Sequence, residues 1–135
     1  MTFPIRPVPP FSAVPKVRDQ EDPKRAAEAM EQNPQQATTL LSGLLLHIDN
    51  VDASNGAGSR STSALVGTDA IRRFVAGTQV NPTPSRESFA RLLISVRDVE
   101  TELRGKMALA GTEGERHVLW LALRTTVAVK RFRGT

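Results

Sequence analysis

The chain has 135 residues, of which 39% are hydrophobic, and this is enough for one small domain. It has no Cys, which excludes disulfides and thiolate metal sites, and no apolar run approaches the roughly 18 residues of a membrane-spanning helix. The 18 basic residues outnumber the 14 acidic ones, giving a net charge of +4 and a pI near 10.3. This balance is typical of nucleic-acid-binding proteins, although a basic surface that serves only solubility also explains it. We expect a cytoplasmic protein without a membrane segment.

Residues 1–20 are rich in Pro and predict an extended arm. Proline fixes φ and removes a backbone donor, which favours a polyproline-II path. Val8, Phe11, Val14 and Val17 repeat every three residues, the period of that conformation. Two interpretations stay open, a disordered tail and an arm that lies along a partner subunit through Phe11 and Val14.

Residues 21–135 predict a single helical domain. Asp22-Pro23 and Asn33-Pro34 each pair a capping residue with Pro at the first helical position, so helices are expected to begin there. The second helix should end at residues 50–52, because carboxylates are unfavourable at a helix C-terminus. Gly43 costs this helix about 1 kcal/mol relative to Ala, and we interpret it as the site of a close helix crossing.

Three further helices follow a Gly/Ser-rich loop at residues 53–63. One is expected over 64–76, with Thr68 as an alternative start. The next begins at Ser85 and runs to residue 103 or on to 109, with an apolar heptad seam. Thr112 and Glu115 have the spacing of a capping box and open the last helix. The sequence therefore predicts an all-α bundle of about four to five helices.

Cationic residues of the last two long helices are the main candidates for a binding site. Three Arg residues fall on nearly one line of the fourth helix, and four cations lie from residue 124 onward, beyond Glu115, the last acidic residue of the chain. Arginine makes bidentate contacts with phosphate, although a solvated face and the helix dipole also favour such positions. The candidate phosphate contacts are Arg86, Arg97, Arg104, Arg124, Lys130, Arg131 and Arg133.

Trp120, the only Trp, lies in a strongly apolar stretch and is interpreted as a core or interface anchor. Together with Phe11 and Val14 it completes the candidate contacts to a protein partner. Stacking on a nucleic-acid base is the weaker alternative for Trp120.

The sequence contains no set of catalytic residues at a spacing that would bring them together in one site. The chain has two His residues, and the helical spacing of His47, Asp49 and Asp52 puts them on different faces. We therefore expect no enzyme, no metal, no cofactor and no small-molecule substrate.

The final stretch, RHVLWLALRTTVAVKRFR, is Arg-rich and acid-poor and follows a small helical body. In these features the chain resembles the small helical subunits of CRISPR effector complexes. The resemblance implies a bundle that stacks in several copies, lines a basic groove for the strand paired with the guide RNA, and has no catalytic residues. It also implies that the cations of both groups face nucleic acid.

The sequence indicates two candidate functions. The first is a non-enzymatic subunit of a nucleoprotein complex that binds backbone phosphates of RNA or single-stranded DNA without sequence specificity and stacks on neighbouring subunits or copies of itself. The second is a protein-only structural subunit of a secretion apparatus or a phage particle.

Overall fold

The computed structural model describes residues 23–54 and 67–134, and this part of the chain contains five helices and no strand. The all-α prediction is confirmed. The predicted arm at 1–20 lies outside the described residues, as does most of the loop at 53–63. The helices are α1 (23–32), α2 (Pro34–Ser54), α3 (Thr68–Gly77), α4 (Arg86–Leu109) and α5 (Glu113–Lys130).

Local sequence signals account for four of the five helix starts. Pro23 and Pro34 each occupy the first helical position, as their fixed φ favours. The Ser85 hydroxyl accepts the Ser88 backbone N–H at 3.2 Å and caps α4. The predicted capping box opens α5: Thr112 Oγ1 accepts the Glu115 N–H at 3.1 Å, and the Glu115 carboxylate accepts the Gly111 N–H at 3.1 Å.

The end of α2 differs from the prediction, and the start of α3 matches the second of its two predicted positions. α2 runs to Ser54 instead of ending at 50–52, because Val51 is fully buried and its burial holds the last turn in the core. One turn earlier, the carboxylate of Asp49 is offset by Arg72 of α3, 2.5 Å away. α3 begins at Thr68, the alternative start that the sequence offered. Its cap is Gly67 in the left-handed conformation, with φ of 96°, which contributes no side-chain hydrogen bond.

Helices α2 to α5 enclose one core. α2 and α4 each pack against both α3 and α5, so the helices form a closed ring. α1 adds its apolar face to this core. Burying one large aliphatic side chain stabilises a fold by about 1.5–3 kcal/mol, so this cluster is the main source of stability. Its largest members are Phe89, Met30, Leu41, Leu44, Ile48, Ile71, Leu93, Leu103 and Leu119.

Gly43 does not mark a close helix crossing, and this interpretation is wrong. A Cβ atom built on Gly43 meets no neighbouring described atom within 4 Å. The close approach occurs instead at Gly67, where a Cβ atom would lie 2.6 Å from the backbone oxygen of Ser95. Glycine at this position therefore lets the chain entering α3 pass against α4.

Burial on α5 follows a stripe along the whole helix. Leu119, Ala122, Thr126 and Val129 are buried, at spacings of three and four residues. Trp120 is 44% exposed. The helix therefore has one buried face and one exposed face along its whole length, and its apolar first half is not buried all round. None of the described helices is both long and apolar enough to cross a membrane.

Candidate functional site

A cleft of about 270 Å³ lies between the middle of α4 and the end of α5. Helical spacing brings its α4 residues to one face, because Glu100 lies three residues after Arg97 and four before Arg104. The end of α5 supplies the opposite wall. The lining residues are Pro23, Arg97, Glu100, Arg104, Val127, Lys130 and Arg131.

Glu100 is the centre of this cleft and is only 7% exposed. Its Oε1 lies 2.6 Å from Lys130 Nζ and its Oε2 lies 2.8 Å from an Arg104 guanidinium nitrogen. Burial by itself raises the pKa of Glu100, but the hydrogen bonds from Lys130 and Arg104 outweigh it and hold the pKa below its usual value. Glu100 therefore stays ionised and fixes two cations at the cleft wall.

Among the described residues that line the cleft, four cations exceed one carboxylate by three formal charges, which favours the binding of anions. Both oxygens of that carboxylate already accept hydrogen bonds from Lys130 and Arg104. The exposed side chain of Arg97 forms no ion pair within residues 23–54 and 67–134. The donors of such a cleft suit a ligand with several negatively charged oxygens.

Four of the seven predicted phosphate contacts meet in this cleft: Arg97, Arg104, Lys130 and Arg131. The last group of cations has no acidic residue near it in the sequence, but Glu100 of α4 contacts Lys130 in the structure. That carboxylate was missed in the sequence, although its spacing from the Arg residues places it on the same face of α4.

Arg86 lies apart from the cleft. Eleven residues of helix, about 16 Å, separate it from Arg97. Its guanidinium lies 3.3 Å from a carboxylate oxygen of Glu28 and 3.2 Å from one of Glu31, both on α1. The three-Arg line exists along α4, but α1 neutralises one end of it.

Arg124 and Arg133 also lie outside the cleft. Arg124 places its guanidinium carbon 5.3 Å from the centre of the Trp120 ring. The Arg133 guanidinium donates to the backbone carbonyls of Arg131 and Phe132, at 3.2 and 3.3 Å. The cationic end of the chain is thus divided between a cleft, an aromatic contact and the chain's own backbone.

Trp120 is not a core residue, and that part of its interpretation is wrong. His117 stacks beside its ring, with ring centres 6.4 Å apart and an interplanar angle of 23°. Arg124 covers the ring from the next turn of the helix. An interface role stays a prediction for Trp120. Phe11 and Val14, the other predicted partner contacts, lie outside the described residues.

Within the described ranges, no three His, Asp or Glu side chains are placed to hold a metal ion. Searches of protein-family models, of curated proteins and of solved structures find no match to this chain. The cleft and the exposed Trp120 cluster are therefore the features from which a function is argued.

Proposed function

We propose that this chain is a non-enzymatic subunit of a cytoplasmic nucleoprotein complex, which holds nucleic-acid backbone phosphates in the cleft between α4 and α5. One observation carries the proposal: two helices bring Arg97, Arg104, Lys130 and Arg131 to one cleft around a carboxylate that both Lys130 and Arg104 contact. Binding through phosphates alone is independent of base sequence.

The charge arrangement favours a polyanion over a small anion. Arg97 and Arg104 are two helical turns apart, about 10 Å along the axis. Lys130 and Arg131 face them from the end of α5. Donors distributed over this length fit successive charges along a chain better than they fit one compact anion.

The test is the salt dependence of binding to a single-stranded oligonucleotide, measured by filter binding. Each phosphate contact to a single strand contributes a slope of about −0.7 in log affinity against log salt, so four cations give at most about −3. We expect Arg97→Ala to lower the affinity and make the slope shallower by about 0.7, because one contact is lost.

Arg86→Ala is the matched control. It removes the same charge from the same helix, but Arg86 is already paired with Glu28 and Glu31. We expect the slope to stay at the wild-type value. Undetectable binding by the wild type, or an affinity that does not change with salt, would overturn the proposal.

The resemblance to small CRISPR subunits stays a prediction, and it rests on residues 116–133. The protein-only assembly subunit is a second candidate, favoured by large apolar side chains on the surface. Leu46 of α2 is 63% exposed and Ile94 of α4 is 58% exposed. Light scattering before and after nuclease treatment separates the candidates, because oligomers that survive nuclease favour the protein-only subunit.

A further inference from the structure

Trp120 and Arg124 share one face of α5, and Arg131, the residue that caps the end of the helix, continues their line. Their spacings of four and seven residues place them within one stripe of the helix. The stripe is about 16 Å long and ends at the cleft, which Arg131 lines. Arg124 therefore lies between the exposed ring of Trp120 and the cationic cleft.

The surroundings of Trp120 are cationic and polar. Arg124 lies over its ring and His117 beside it, and all three side chains are exposed. The centres of protein–protein interfaces are depleted of charge. Aromatic side chains beside cationic grooves are instead typical of proteins that bind single-stranded nucleic acid.

The energies of the competing contacts favour a base at this ring. An exposed cation–π contact such as Arg124 on Trp120 contributes about 0.5–1 kcal/mol. Stacking of a base on an aromatic side chain contributes about 1–3 kcal/mol. A base therefore displaces the Arg124 guanidinium from the ring, and the freed guanidinium is then available to a phosphate.

We propose that Trp120 is a stacking platform for a base of single-stranded nucleic acid whose phosphates enter the cleft. This inference rests on the proposed function and narrows its ligand to single strands, because the bases of a duplex are already stacked on one another. Stacking is sequence-tolerant, since every base presents a π-face. It therefore preserves the absence of sequence specificity.

Intrinsic fluorescence gives a direct test, because Trp120 is the only Trp of the chain. The probes are an oligothymidylate of about 15 nucleotides, a length within the range of single-strand binding sites, and inorganic polyphosphate of matched charge. We expect both to bind the full chain and only the oligothymidylate to quench the emission strongly. A duplex of equal length is expected to quench it weakly.

Three variants complete the test, with affinity measured by competition against a labelled oligonucleotide. Trp120→Ala is expected to weaken oligothymidylate binding about 5- to 100-fold, the equivalent of the stacking energy, and to leave polyphosphate binding unchanged. Trp120→Phe retains a ring and is expected to recover most of the affinity. Leu109→Ala removes another exposed apolar side chain and is expected to have no effect.

The outcomes separate this inference from the proposed function. If the oligothymidylate binds without quenching, and equally well to Trp120→Ala, the stacking inference is wrong and phosphate binding stands. If neither probe binds, both are wrong. If the emission instead shifts to the blue as protein concentration rises, and Trp120→Ala abolishes the oligomer, Trp120 is a protein contact and the inference is overturned.

Discussion

Asp52, in the last turn of α2, is a carboxylate in an unfavourable environment. Its Oδ1 is buried and has no hydrogen-bond partner within the part of the chain that the structure describes. Burial raises the pKa of Asp52, Asp49 raises it further, and Arg72 and Lys106 oppose the shift. Because the pKa of Asp52 is higher in the folded state than in the unfolded state, protonation of Asp52 stabilises the fold. This stabilisation is complete below the ordinary pKa of 3.8 and is lost as pH rises through the folded-state pKa.

We expect Asp52→Asn to raise the melting temperature by a few degrees at neutral pH, because the substitution removes the buried charge. The gain should shrink as pH falls through the raised folded-state pKa, where Asp52 of the folded wild type becomes protonated, and should be gone below pH 3.8. Thermal unfolding followed by circular dichroism over a pH series measures both effects. Asp49→Asn is the contrast: it breaks the ion pair with Arg72, so it should lose up to about 1 kcal/mol at neutral pH. Equal stability of Asp52→Asn and wild type at pH 7 would contradict this account.

Individual residue identities predicted the described helices well, because helix-start signals are local. Pro23, Pro34, Ser85 and Thr112 act within one turn of their own position, and each marks a helix start in the structure. Trp120 shows the limit of this approach. Whether a Trp in an apolar run is buried depends on which face of the helix meets the core, and that face is set by residues distant in sequence.

At the scale of the element, boundaries that depend on contacts with another helix were predicted less precisely than boundaries marked by a local capping signal. α2 continues past its acidic residues because the core holds Val51, and α3 starts where Gly67 meets Ser95. Both boundaries depend on contacts with another helix. The same dependence explains why Gly43 was misinterpreted, since a glycine in a helix looks the same in sequence whether or not a neighbour approaches it.

Replacing glycine by alanine is expected to change the stability of the protein in opposite directions at Gly43 and Gly67. Gly43→Ala should stabilise the protein by about 0.5–1 kcal/mol, because alanine favours the helix and the added methyl group meets no described neighbour. Gly67→Ala should destabilise it by about 1–3 kcal/mol, because φ is 96° and the methyl group would collide with the Ser95 oxygen. Urea unfolding measures both. A loss of stability in Gly43→Ala would indicate that the α2 surface is in contact with a part of the chain outside the described residues or with a partner.

At the scale of the whole molecule, the sequence predicted which cations share a helix face but not which meet across helices. Arg97 and Arg104 were placed correctly on one line of α4. Their meeting with Lys130 depends on how α5 lies against α4, and the pairing of Arg86 depends on α1. Each of these is a tertiary contact between residues far apart in the chain, so periodicity within one helix could not reveal it.

Glu100 joins α4 to α5. A substitution of this residue should change the stability of the fold and the affinity for phosphate in opposite directions. Because its pKa is lowered, the carboxylate stabilises the fold above its ordinary pKa of 4.5, and this contribution is lost as pH falls through the lower folded value. We expect Glu100→Gln to destabilise the protein by about 1–3 kcal/mol at neutral pH, since the amide has no charge and keeps only one of the two oxygens that accept from Lys130 and Arg104. The difference from wild type should decrease in acid.

The same substitution should strengthen phosphate binding several-fold, because it raises the formal charge of the cleft from +3 to +4. Urea unfolding and polyphosphate binding are measured on the same samples, at a temperature where the variant is fully folded. Asp98→Asn is the control, because it removes an exposed carboxylate from α4 that does not line the cleft. It should leave stability and affinity at wild-type values. Weaker polyphosphate binding by folded Glu100→Gln would show that the arrangement of Lys130 and Arg104, and not the net charge, governs the cleft.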